Sequence, residues 1–289
     1  MTTRLKFLNG LTAFVYSALI LLIPGPVLGQ TTPLRDPNAV ALASQALQAL
    51  AGGTALTDVT LQGSVTYSAA SGQQAGTATL VARGSMESLL SVNVPAGQRK
   101  EIRNGAAGVW IGLDGTPHAM AATNCYLDAD WFSPAFSLLA LATDSTLIIT
   151  LDGQETHNAQ QVYHLSLFHY LSGQPPDVIS LVQRVSQMDL YLDTTSLLPA
   201  ALDFNVYSEN DASASVGVPT EIRFNAYQSF NGVWVPTHIQ KYVQGFLALD
   251  FTATSVAVDS GVADSVFALP PLQPVVPATP GTPSGGGAD

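Results

Sequence analysis

The stretch Val59–Tyr67, VTLQGSVTY, puts apolar side chains at Val59, Leu61, Val65 and Tyr67 and polar ones at Thr60, Gln62, Ser64 and Thr66. A period of two marks a strand with one buried face, because successive side chains leave a pleated backbone on opposite sides. The alternation returns in Leu202-Phe204-Val206, in Ile222-Phe224-Ala226 and in Leu247-Leu249-Phe251. Four dipeptides can supply the positive φ of a two-residue hairpin loop: Asn104-Gly105, Asp114-Gly115, Asp152-Gly153 and Asn231-Gly232. The expectation is a meandering antiparallel sheet of about ten strands.

Three helices interrupt or precede that meander. Asp36 is placed to cap a helix that begins at Pro37 and ends before Gly52-Gly53. Within it Val40, Ala43, Leu47, Leu50 and Ala51 recur at helical spacing, which predicts an apolar stripe. Ser133-Pro134 opens a second, short helix to about Leu141, and Asp177, after Pro175-Pro176, is expected to cap a third with a Val178, Leu181, Val182 and Val185 stripe. A sheet of this width twists and curls. The fold class is therefore α+β: a large curved antiparallel sheet, a half-barrel, with the N-terminal helix and two further helices on its concave face.

That order of elements resembles the LolA/LppX-like family of periplasmic lipoprotein carriers and mycobacterial envelope lipid carriers. Met188–Asp193 looks like the strand before the family's threonine-containing turn, and Thr194-Thr-Ser-Leu-Leu-Pro199 looks like the turn itself. Phe230-Asn-Gly-Val-Trp-Val-Pro236 is similar to the hairpin that ends in a proline before another long strand. Phe267-Ala-Leu-Pro270 resembles the Phe-x-x-Pro with which such domains close. The resemblance implies a noncatalytic protein that shelters an acyl chain or another apolar group. It transfers neither a catalytic signature nor any single ligand-contacting residue.

The ends of the chain read as processing and tail segments. Arg4 and Lys6 precede an uncharged run, Leu11–Ile23, followed by Pro24, Pro26 and the small-residue pattern Val27-Leu28-Gly29. This is the order of a cleavable signal peptide, residues 1–29, and the run is short for a bilayer span. Gln30 stands where a lipoprotein would carry Cys, so the mature chain is expected to be soluble, in the periplasm or outside the cell. Residues 30–36 form a short linker, 37–270 the half-barrel domain, and 271–289 a Pro/Gly-rich tail expected to be disordered.

Charge and motif content narrow the function. Cleavage would leave eight Lys and Arg against 21 Asp and Glu, a net −13, which argues against nucleic acid or an anionic membrane surface as partner. No stable membrane insertion is expected after cleavage. His157, His164 and His169 lie close in sequence, but 164 and 169 fall on opposite faces of a strand and no neighbouring acid completes a metal site. Asp128 and Asp130 read as turn chemistry, and Cys125 as a buried small residue with His118 seven positions away. No nucleophile elbow, phosphate loop or dinucleotide fingerprint occurs. The sequence thus predicts no enzyme, no catalytic residue, no metal and no cofactor. Trp110, Trp131, Phe132 and Phe136 are the residues expected to line an apolar groove. The alternative is a structural or protein-interaction module of the cell envelope whose interior is filled by its own side chains.

Overall fold

The computed structural model describes residues 33–69, 72–127, 131–209 and 214–272. Helix α1 (Pro37–Ala51) leads into β1 (Asp58–Ala69), β2 (Gly72–Arg83), β3 (Glu87–Val94), β4 (Gly97–Asn104), β5 (Ala107–Ile111) and β6 (Pro117–Ala119). A 3-10 turn (Ala122–Tyr126) and α2 (Pro134–Thr143) follow. Then come β7 (Leu147–His157), β8 (Gln160–His169), α3 (Pro176–Val185), β9 (Met188–Asp193), β10 (Pro199–Tyr207), β11 (Gly217–Phe230), β12 (Val233–Val243) and β13 (Phe246–Val258).

Among the described residues these strands form one antiparallel sheet of thirteen, in the order β6-β5-β4-β3-β2-β1-β13-β12-β11-β10-β9-β8-β7. The first and last long strands meet at its centre, with Val59 opposite Val258 and Tyr67 opposite Leu249. The ends β6 and β7 do not pair with each other, so the sheet curls without closing. Strands such as β2 (GQQAGTATLVAR) and β4 (GQRKEIRN) carry too few large apolar residues to show a period, which is why the sequence suggests about ten strands.

The curl has a local cause at Gly63. The β1–β13 register shifts between Gln62 and Gly63, a bulge that sharpens strand twist. A Cβ at residue 63 would stand 2.0 Å from the Thr252 carbonyl oxygen, so only glycine permits that approach.

Asn231 (φ 51°) and Gly232 (φ 86°) make the β11–β12 turn as expected, and Asn104-Gly105 and Asp114-Gly115 also fall between paired strands. Asp152-Gly153 does not. It lies inside β7 at a register shift, and the β7–β8 turn is made by Asn158 (φ 48°) and Ala159 (φ 63°). The third helix starts two residues earlier than expected, at Pro176, with Asp177 in its first turn rather than as cap.

Helix α1 is capped by Asp36, whose carboxylate accepts from the Asn38 amide at 2.8 Å. Its buried face is Ala39, Leu42, Ala43, Ala46, Leu50 and Ala51, rotated from the predicted stripe so that Val40 and Leu47 are only half-buried. The small alanines let it lie close against the sheet. Phe132, Phe136, Leu138, Leu165, Leu190, Ile222 and Phe251 share the same continuous core. Helix α3 builds a separate small cluster, in which Ile179 packs with Ile148, Phe168 and Tyr170. No helix among the described residues is long and apolar enough to cross a membrane. The signal-peptide segment, the tail beyond Leu272, and Asp128 and Asp130 lie outside the described residues.

Candidate functional site: an apolar cavity with a charged wall

A cavity of about 300 Å³ opens where β3, β4 and β5 face β10 and β12 beneath the segment that includes the 122–126 turn. Leu90, Leu127, Phe132, Phe204, Val206 and Val243 give it apolar walls. Other depressions among the described residues are smaller, or more open and more polar. The space between α1 and the sheet, where a groove would be expected under a helical lid, is filled; the gap there measures about 10 Å³. The alanine-rich face of α1 allows too close an approach to leave room.

Three of the four aromatics singled out in the sequence line this cavity: Trp110, Trp131 and Phe132. Trp131 and Phe132 meet edge to face at 5.4 Å. Trp110 stacks on His118 at 4.1 Å, and its indole Nε1 is a buried donor with no acceptor among the described residues. Phe136 sits instead in α2, 1% exposed, within the main core. Phe132 lies in the turn before the Ser133 cap and lines the cavity, whereas Phe136 belongs to α2 itself, which packs into the core.

What sequence reasoning missed is the polar wall. On β4, Arg99, Glu101 and Arg103 alternate at i, i+2, i+4, so the pleat aims all three at the cavity. Arg99 donates to Glu101 at 2.6 Å and lies 5.4 Å from the Trp110 ring. Lys241 of β12 holds its ammonium 4.5 Å from the Trp131 centroid, a cation–π contact. Burial drives the Glu101 carboxyl upward, but the charges of Lys241 and Arg99 outweigh it and hold that group below the ordinary carboxylate range. Burial pushes the Lys241 ammonium below its usual value, with Glu101 opposing and Arg99 adding to the shift.

Arg103 fixes the cover of the cavity. Its guanidinium donates to the Asn124 carbonyl (3.1 Å), the Cys125 carbonyl (2.8 Å) and the Leu127 carbonyl (3.3 Å). Asn124 in turn donates to the Tyr207 carbonyl at 2.8 Å and to Glu209 at 2.9 Å, and accepts from the Tyr207 amide at 2.7 Å. The 122–126 turn is thus tied to β4 on one side and to the end of β10 on the other. Cys125 is buried in this turn, and burial raises its thiol pKa, keeping it in the unreactive protonated form.

A second polar cluster lies across β7 to β11. His157 stacks on Tyr191 at 3.9 Å and His164 lies 4.7 Å from the same ring. His164 Nε2 is 3.1 Å from Asp189, and His157 Nε2 is 3.1 Å from Glu221. The expectation that no acid accompanies these histidines therefore fails: neighbouring strands supply them, which no sequence spacing records. His169 is elsewhere, 3.1 Å from the Thr146 hydroxyl. Asp152, His164 and Asp189 have ligand atoms within 4.8 Å of one another, as do His157, Asp203 and Glu221, so either trio has the donors for a cation.

No protein-family description matches the chain, and no curated protein matches it. Solved structures do. A LolA superfamily protein from Nitrosomonas europaea superposes with TM-score 0.50 at 11% identity, over 80% of this chain and 97% of that one. A DUF1329 family protein from Desulfovibrio piger gives TM-score 0.51 at 11% identity, over 80% and 96%. At that identity the likeness establishes the fold, an unclosed LolA-like antiparallel sheet with three helices.

Proposed function

We propose that this LolA-like half-barrel is an exported, noncatalytic protein that holds a hydrophobic ligand, a lipid or acyl group, in the cavity under the 122–127 segment. The observation that carries this reading is the cavity itself. It has a volume at the lower end of the ligand-pocket range and walls of Leu90, Phe132, Phe204 and Val206. Burial supplies the affinity, at roughly 0.8 kcal/mol for each methylene moved out of water. An interaction module would instead present one exposed apolar patch. Of the exposed aromatics, Trp234 and Phe246 stand at opposite ends of β12 and Tyr126 lies on the 122–126 turn, so they are not gathered on one element.

The test is capture. The protein purified from its own host and analysed by native mass spectrometry or solvent extraction should retain an apolar molecule. Val206→Trp, which fills the cavity, should abolish retention while leaving the circular dichroism spectrum unchanged. A parent chain that never retains such a molecule overturns the reading.

A further inference from the structure

Lys241 occupies a position where the fold otherwise requires a hydrocarbon. Across the inner face of the sheet one row of paired residues runs Leu165, Leu190, Leu202, Ile222, Lys241, Leu249. Every other member of that row is 2% exposed or less. Lys241 itself is half-buried, and the partial loss of hydration there lowers its pKa. The ammonium makes no hydrogen bond and has no carboxylate within ion-pair distance among the described residues; its close neighbour is the Trp131 ring at 4.5 Å. Glu101, the nearest compensating charge, is already committed to Arg99 at 2.6 Å.

The wider electrostatics agree. The chain carries ten Lys and Arg against 21 Asp and Glu, yet three of those ten, Arg99, Arg103 and Lys241, line this one cavity. Among the described residues two acids, Glu101 and Glu209, line the cavity with them. Arg103 donates to three backbone carbonyls, and Glu209 accepts from Asn124 and from the Ala121 amide. That leaves Lys241, which feels the charge of Glu101 without bonding to it, as the cation of this cavity with no hydrogen-bond acceptor among the described residues.

We propose that the ligand is an anionic amphiphile with a single acyl chain, its carboxylate or phosphate head meeting Lys241 and its chain lying along Leu90, Phe132, Phe204 and Val206. This rests on the carrier reading above and gives its ligand a head-group class. A cavity of about 300 Å³ holds one chain rather than several. The anion completes what the described residues leave open: it accepts from the Lys241 ammonium.

The full chain titrated calorimetrically with dodecanoate, dodecyl phosphate, dodecanol and dodecylammonium, each below its micelle concentration, tests this. A charge-assisted hydrogen bond predicts that the anions bind at least about tenfold tighter than dodecanol, with dodecylammonium weakest. Whichever anion binds tighter identifies the head, and either order supports the proposal. Lys241→Met should erase the anion preference while leaving dodecanol affinity unchanged, and Lys241→Arg should keep the preference. Because Lys241 stands in an apolar row, the methionine variant should also melt no lower than the parent. Equal binding of dodecanol and dodecanoate by the parent overturns the head-group proposal and leaves the carrier reading standing. If none of the four probes binds, both fall.

Discussion

Three carboxylates stand side by side across neighbouring strands: Asp189 on β9 faces Asp203 on β10, which faces Glu221 on β11. Burial first, and the Glu221 charge second, push the Asp203 carboxyl up to about 6 from an ordinary 3.8. The folded protein therefore holds this proton more tightly than the unfolded chain does. Stability is accordingly full below the unfolded value, falls as the pH climbs from about 4 to about 6, and stays reduced above that. Asp203→Asn keeps the shape and can still meet the Tyr191 hydroxyl. It should be more stable than the parent by about 2 kcal/mol near pH 8 and equal to it near pH 4. Urea denaturation at the two pH values measures this, and a constant offset between the chains contradicts it.

At the scale of elements, the 122–126 turn is held to the sheet chiefly by the side chains of Arg103, Asn124 and Glu209. It has almost no apolar anchor of its own beyond Cys125 and Leu127. Arg103→Met removes three donors and leaves the Asn124, Cys125 and Leu127 carbonyls without them. The expected loss is about 2–4 kcal/mol, concentrated locally. The sharper readout is Cys125, whose alkylation should accelerate by roughly tenfold or more as the turn opens. Unchanged thiol reactivity in a folded variant would show that something else holds the turn down. Arg103, at the centre of this latch, was hidden in the sequence. GQRKEIRN shows no apolar period, and only the pairing of β4 with β3 and β5 decides that its Arg-Glu-Arg face points inward.

The whole molecule depends on joining the two ends of its described chain. Asp58, at the start of β1, is 1% exposed. Its carboxylate accepts from the Ser260 amide (2.9 Å), the Ser260 hydroxyl (2.8 Å) and the Gly261 amide (3.0 Å). Burial opposes its charge, yet those bonds to Ser260, Gly261 and Val262 hold its pKa below the ordinary value. Its contribution is thus present above the unfolded carboxylate value and is lost as the pH falls through the lowered folded one. Asp58→Ala should cost about 2–4 kcal/mol of global stability at neutral pH, with the difference from the parent shrinking in acid. Equilibrium denaturation followed by two probes, one in each half of the sheet, should show both halves losing stability together. If only one half is weakened, the β1–β13 seam does not couple them.

The sequence by itself determined the class of this protein: helix starts at Pro37 and Pro134, period-two strands and glycine turns dictate a wide antiparallel sheet with three helices. Those signals are local, set by backbone sterics and by the spacing of apolar side chains along a single element. The sequence also marked Trp110, Trp131 and Phe132 as aromatics to watch, but nothing local separated them from Phe136. Tertiary structure alone decided that the helix α1 side is solid and that the cavity lies under the 122–127 segment. It also decided that Lys241 stands in a row of leucines and that His157 and His164 meet at Tyr191. Each of those facts is a matter of register between strands distant in sequence, and register is fixed by the packing of the whole sheet rather than by any stretch of it.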